Sequence, residues 1–493
     1  MIYDVAVIGC GIIGASVAFE LSKYELSVAV FESENDVACG TTKANSAIIH
    51  AGFDAENGSL MAKLNVQGSL LTEKLCSDLS VLYKKIGSLV LGFDEKDNFK
   101  LQTLFERGMK NNVPGLELWD KNTVFKKESN LNENIVAALY AKTAAIINPW
   151  EFCIAQIETA IKNGVKLFLN SKIEKIEIEN NIYNLHANYL SNCTCNSDNN
   201  PFKAKYVINC AGLYADKIHN LVSPENEFLI YPNKGEYFLL DKSQGNLVNH
   251  IIFQPPSDFG KGVLISPTVH GNLIVGPSSV DILDKTSLKT TVEGLEFVKE
   301  TARRSVPCVN FSENIRNFTG LRAYSTESDF IIRPSHFAKN FINVAGIKSP
   351  GLSSAPAIAV YLREMLENLG LMLKEKAEAV STREKIVFKE LSKTEKNDCL
   401  KKESSYGRIV CRCETVTEGE IKNALRSNIP PVSLDGVKRR TCAGMGRCQG
   451  GFCSPKVLNL ISEELKMPPQ DVLQEGSGSY ILTGMTKGST QAI

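Results

Sequence analysis

Apolar runs punctuated by glycine open the chain. Residues 3–8 (YDVAVI) are mostly apolar, the pattern of a strand covered on both faces. Residues 12–23 carry helical spacing, and 27–31 (SVAVF) form a second strand ending at Glu32. Together they predict one βαβ unit. A polar loop holding Gly and Thr follows at 36–47. Residues 61–86 read as a helix with Met61, Leu64, Leu70, Leu71 and Leu75 on one side.

Later strands are shorter. KIEIE, an Asn180-Asn181 turn and IYNLHANYL predict a hairpin over 173–190. Residues 191–201 read as a loop, in which Cys193 and Cys195 have no second pair nearby, and 204–209 as the next strand. Strands at 235–240, 251–253, 263–265 and 273–276, separated by Gly and Pro, predict a mostly antiparallel sheet suited to covering a ligand. An apolar strand at 341–345 runs into a Gly-rich turn and a helix at about 354–368. The expected fold class is α/β. A Rossmann-like domain and an antiparallel-sheet substrate domain interleave over 1–370. A Lys/Glu-rich helical linker spans 371–406, a small helical domain 407–475 and a tail 476–493. No internal repeat is present.

Composition narrows the function. Hydrophobic residues make up 43% and charged residues 22%, ordinary for a globular protein. The 55 basic and 55 acidic side chains cancel, so no bulk charge favours nucleic acid or an anionic membrane. The run Lys438-Arg439-Arg440 reads as a solvated face. No apolar stretch reaches transmembrane length. A strand starts almost at once, so no signal peptide is expected. The fourteen cysteines are then thiols or ligands in a reducing cytoplasm.

Two motifs carry chemistry. Gly9, Gly11 and Gly14 make G-x-G-x-x-G between strand and helix. The glycines permit a tight turn, backbone approach to a pyrophosphate and close helix packing. Glu32 is placed to accept hydrogen bonds from a ribose and to repel a 2′-phosphate. Cys10, inside this loop, is a small residue that fits. At the other end stand Cys411-Arg-Cys413 and TCAGMGRCQGGFC. The C-x-C pair and the C-x4-C pair, about thirty-five residues apart, supply four thiolates: Cys411, Cys413, Cys448 and Cys453. Spacing favours a [2Fe-2S] cluster over zinc. Cys442 is surplus. Thr417 and Glu420 form a capping box for a helix to about Arg426, Pro430-Pro431 ends it, and Ser454-Pro455 reads as the N-cap and first position of the next.

GTTKANSAIIHAGFD (40–54), VINCAGLYAD (207–216) and FINVAGIKSPGLSSAPAIA (341–359) resemble the D-amino-acid oxidase and glycine oxidase superfamily. The likeness is greatest to its branch of FAD-dependent glycerol-3-phosphate oxidases and dehydrogenases, with L-2-hydroxyglutarate oxidases nearby. GRIVCRCETVTEGEI through RRTCAGMGRCQGGFC is similar to the bacterioferritin-associated-ferredoxin-like [2Fe-2S] domain. The resemblance implies FAD held by Gly9, Gly11, Ile12, Gly14, Glu32, Thr41, Thr42, Ser46, Ala47, Ile48, Ile173, Gly212, Gly346, Ile347, Lys348 and Ser353. It implies His50 as the base for a secondary alcohol, with Arg322, Lys261, Ser46 and Ser349 holding the substrate. The implied activity oxidises glycerol 3-phosphate and exports electrons through the cluster to a partner protein. A 2-hydroxy-acid dehydrogenase is the alternative within the class; a non-catalytic redox sensor or iron–sulfur carrier is the alternative outside it.

Overall fold

The computed structural model describes residues 1–189, 201–255 and 262–484. Its contacts divide the chain into two compact units. The first holds Met1–Glu32, Val37–Asn188 and Thr194–Arg383. The second holds Ser33–Asp36, Tyr189–Cys193 and Glu384–Ile493.

In the first unit, Ile2–Ile8 pairs in parallel with Phe202–Asn209 on one side and Val28–Phe31 on the other. Lys166–Phe168 and Phe341–Ala345 extend this core, also in parallel. Helix Ile12–Leu21 is buried at every residue, which explains its lack of a polar face. The expected hairpin is present: Asn180 (φ 52°) and Asn181 (φ 62°) both take the left-handed conformation that a tight two-residue turn requires.

A second sheet carries the substrate half. Ile230–Leu240 pairs antiparallel with Asn314–Ser325 along its whole length. On its other side follow Leu273–Gly276, Leu264–Pro267 and Ile251–Phe253, then Ser88–Gly92, Ala137–Ala141 and Leu116–Asp120. The junction of Ile251–Phe253 with Ser88–Gly92 is parallel, so the sheet is mixed. Strand Asn314–Ser325 escapes the sequence reading because its residues (NIRNFTGLRAYS) do not alternate cleanly in polarity.

Several sequence expectations change. The helix expected over 61–86 spans Leu60–Asp78, and Tyr83–Lys85 is a strand. Its inner face is only partly the leucine stripe: Leu64 is buried, but Leu70 is 56% exposed, while Ala62, Gly68, Ser69 and Thr72 are buried. Gly68 sets this rotation. A Cβ there would stand 2.1 Å from the carbonyl oxygen of Ser353, so backbone contact with helix Gly351–Asn368 outweighs the leucines. The segment 371–406 is largely irregular, with α-helix only over Lys393–Lys402 under a Ser392/Glu395 capping box and short 3-10 turns at Phe388–Glu390 and Ser404–Gly407. Finally, helix Ser454–Leu465 has Cys453 at its N-cap, one residue earlier than expected.

The second unit packs Glu418–Leu425, Leu434–Thr441 and Ser454–Leu465 around Val416, Ile421, Val437, Val457 and Ile461. The Thr417/Glu420 capping box is in place. The basic run is no solvated face. Arg439 and Arg440 are 4% and 5% exposed, and both donate to the Asp36 carboxylate at 2.8–2.9 Å. Burial alone would raise the Asp36 pKa; the two guanidiniums outweigh it and hold it at about 2.

Gly68→Val is expected to lower stability by about 1–3 kcal/mol through overpacking, read as a fall in Tm.

Candidate active site and cluster centre

The glycine loop is set by contacts that exclude side chains. Gly9 has φ 98°, and a Cβ there would meet the Cys210 carbonyl oxygen at 2.6 Å. A Cβ on Gly14 would stand 1.9 Å from the Gly9 oxygen. Glu32 is buried and accepts from the Cys10 N–H at 2.8 Å; the Ile12 N–H donates to Thr42 Oγ1 at 2.9 Å. The helix begins at Ile12; its N-cap, Gly11, has no side chain to offer, and Thr42 takes only the first N–H. A buried carboxylate beside an open helix end fits a dinucleotide, with phosphates at the N–H groups and the ribose at the acid. Ile173 is buried in the hairpin strand that starts at Ser171, whose N–H donates to the Glu32 carbonyl at 2.8 Å. Gly212, φ 55°, follows strand Phe202–Asn209.

The segment from Gly40 to His50 lies on the second sheet. Thr41 Oγ1 donates to the Leu321 carbonyl at 2.8 Å, and a Cβ on Gly320 would meet the Ala44 oxygen at 2.1 Å. Ala47 takes φ 59°, rare for a residue with a Cβ, held by its N–H bond to Asn45 Oδ1 and by the Ile147 N–H on its carbonyl. Ser46 is half-buried beside it, and Ile48 starts a short strand paired with Ala145–Ile147.

Residues far apart in sequence meet at His50. Its N–H donates to Ser353 Oγ at 2.7 Å, and its Nε2 lies 3.3 Å from Ser349 Oγ. Its ring stacks on Phe253 at 5.8 Å. His50 opens into a small cleft with Phe53, Asp54, Val90, Leu104, Phe253 and Gln254. The loop that brings Ser349 turns at Gly346, φ 64°, where a Cβ would strike Ser325 Oγ at 2.8 Å. Ile347 and Lys348 follow, half-buried, and helix Gly351–Asn368 then starts without a side-chain cap.

Strand register brings Arg322 to this place. Asn233, Gly235 and Tyr237 stand directly opposite Arg322, Gly320 and Phe318, so these six share one face of the sheet. Tyr237 stacks on Phe318 at 4.7 Å and joins the core cluster that includes Phe53, Val90, Leu104 and Phe253 of the cleft. Two residues beyond Arg322 on the same face is Tyr324, and Lys348 Nζ lies over its ring at 4.9 Å. Arg322 donates to Asn233 Oδ1 and, at 3.4 Å, to the Ser278 carbonyl. Lys261 lies outside the described residues. Asn233, Gly235 and Gln254 were not read from the sequence, since no motif marks them, and Asp54, at the end of the 40–54 run, was given no role; strand register and the cleft reveal them.

In the second unit the four expected thiols are neighbours. Cys413 Sγ stands 3.5 Å from Cys448 Sγ, and Cys453 is hydrogen-bonded to Cys411. Among the described residues no three potential ligands stand close enough to grip a single ion, so the quartet forms two pairs. Burial raises the Cys448 pKa, but the Cys413 thiol and the N–H groups of Phe452, Gly450 and Gly451 outweigh it and lower the net value. Burial and the neighbouring Cys411 and Cys448 push Cys453 up to about 12. Two thiol pairs, with loop N–H groups of residues 450–452 aimed at Cys448, fit a two-iron cluster, whose positive charge would hold all four as thiolates. Cys442 caps helix Leu434–Thr441 in the left-handed conformation, φ 66°.

Residues 4–365 match the family model for FAD dependent oxidoreductases. The chain belongs to that family. Residues 409–463 match the BFD-like [2Fe-2S] binding domain. The cofactors are accordingly FAD and a [2Fe-2S] cluster. A glycerol 3-phosphate dehydrogenase of Caloramator mitchellensis is 51% identical over 490 residues, 99% of this chain and 100% of that protein. A glycerol 3-phosphate oxidase of Mycoplasma genitalium is 35% identical over 76% of this chain and 96% of its own length. The solved structure of dithionite-reduced L-alpha-glycerophosphate oxidase from Mycoplasma pneumoniae with FAD bound superposes with a TM-score of 0.71. It is 31% identical and covers 78% of this chain and 98% of that one.

Serine at Cys411, Cys413, Cys448 or Cys453 is expected to abolish iron binding after anaerobic purification, read as iron content and loss of the reduced-state EPR signal. Cys442→Ser is expected to keep both.

Proposed function

We propose that this chain oxidises sn-glycerol 3-phosphate to dihydroxyacetone phosphate and sends the electrons through its [2Fe-2S] domain to a partner protein. The observation that carries the reading is that His50 meets Ser349 at the mouth of a cleft, while Arg322, which no carboxylate among the described residues neutralises, stands on the sheet face that carries Tyr237 and Phe318. A secondary alcohol loses a proton from oxygen and a hydride from carbon. His50 Nε2, held by stacking and by Ser349, is the group to take the proton. FAD, when bound, accepts the hydride. Arg322 offers a planar fork to the phosphate, with Lys261 as a second cation and Ser46 as a further donor. The full-length similarity to a glycerol 3-phosphate dehydrogenase supports this substrate over a 2-hydroxy acid.

Electron export rests on the second unit. Cys413 is exposed and Cys448 half-buried, while Cys411 and Cys453 are buried, so one side of the ligand set is open. A hydride carries two electrons, and a [2Fe-2S] cluster passes them singly. No helix among the described residues is long and apolar enough to cross a membrane. We place the protein in the cytoplasm, where its thiols stay reduced.

Anaerobic sn-glycerol 3-phosphate is expected to bleach the flavin without added NAD; bleaching by 2-hydroxyglutarate alone would reassign the substrate. His50→Ala should keep FAD and slow flavin reduction by roughly 10²–10⁴-fold. Arg322→Ala should weaken transition-state binding of glycerol 3-phosphate by about 2–5 kcal/mol and leave the residual rate with unphosphorylated glycerol unchanged. Equal losses on both substrates would show that Arg322 does not read the phosphate.

A further inference from the structure

Several arginines of this fold are neutralised by carboxylates, while Arg107 donates to the main-chain oxygen of Asp54 and Arg303 and Arg304 lie over the rings of Phe311 and Phe93. Arg333 pairs with Glu327, Arg383 with Glu158, Arg363 with Glu364, and Arg439 and Arg440 with Asp36. Arg322 is treated differently. Its two hydrogen-bond acceptors are the amide oxygen of Asn233 and the main-chain oxygen of Ser278, both uncharged. Asn233 is 4% exposed and its amide is fully engaged: Nδ2 donates to Asp281 Oδ1 at 2.8 Å and to Ser279 Oγ at 3.2 Å. Chemistry dictates that orientation, since a carboxylate only accepts and a guanidinium only donates. The carboxylate of Asp281 is therefore held one amide away from Arg322. Gly235, on the same face, leaves the room: a Cβ there would stand 2.6 Å from Arg322 Nη2.

We infer that Asn233 is a positioning and specificity residue. It aims Arg322 while insulating it from Asp281, so the guanidinium keeps its full charge for an anionic substrate. A carboxylate at 233 would orient the fork equally well but cancel its charge. This rests on Arg322 taking the anionic end of the substrate.

The test transposes amide and acid in the double variant Asn233→Asp/Asp281→Asn, which keeps net charge and side-chain size. KM for glycerol 3-phosphate is expected to rise by about tenfold or more, with FAD content and kcat near wild type. In an Arg322→Ala background the same transposition should leave KM unchanged. Asn233→Ala, which removes the aim without adding a charge, should raise KM less than the transposition does, with Tm checking that each variant folds. A wild-type KM in the transposed enzyme, or an equal rise in the Arg322→Ala background, would overturn the inference. Absence of flavin reduction by glycerol 3-phosphate in the wild type would instead refute the substrate reading; the same KM comparison is then made with 2-hydroxyglutarate.

Discussion

Open helix N-termini are the constraint on which both redox centres depend. The first N–H groups of a helix have no intrahelical acceptor, and a missing side-chain cap costs about 1 kcal/mol. The helices beginning at Leu60, Glu95, Pro149, Val292, Lys393, Glu418 and Leu434 each take a side-chain oxygen at the N-cap. Among the described helices of eight residues or more, those beginning at Ile12, Gly351 and Ser454 take none from the N-cap residue, although Thr42 Oγ1 accepts from the Ile12 N–H. These three starts are the glycine loop, the turn that carries Lys348 and Ser349, and the last thiol of the quartet. A helix start of this kind favours an electron-rich group, such as a phosphate or a metal-bound thiolate.

Close backbone approach is the second organising feature. Gly9 and Gly14 let the first helix sit on its strand, Gly68 lets another helix touch the loop-borne helix Gly351–Asn368, and Gly320 lets the strand of Arg322 meet Ala44. In each place a methyl group would collide with a main-chain oxygen. Large hydrophobic residues then fill what remains, and a leucine stripe can be left facing outward.

Arginine serves two opposite ends in this protein. At Asp36, two guanidiniums are buried against one carboxylate, so their charge is used up in holding the second unit together. At Arg322, an amide takes the position a carboxylate could occupy, and the charge is kept for a ligand. The side chain is the same; the partner decides whether it is structural or functional.

Local signals were legible along the chain. The βαβ unit with Glu32, the Asn180-Asn181 turn, the Thr417 capping box and the paired cysteines depend on neighbours within a few residues or on fixed spacing, and each stands where its pattern predicts. The likeness of 40–54 and 341–359 to flavin-contacting segments pointed to His50 and Ser349, which the fold brings to 3.3 Å. What the chain alone left open was decided by partners remote in sequence. The inward face of Leu60–Asp78 turns on Gly68 meeting Ser353, and the burial of Arg439 and Arg440 turns on Asp36, about 400 residues away. Asn233 gains its role from standing opposite Arg322 across two strands that share no motif. Periodicity reports which residues can be buried, whereas register and close approach, set by the whole fold, choose what they are buried against.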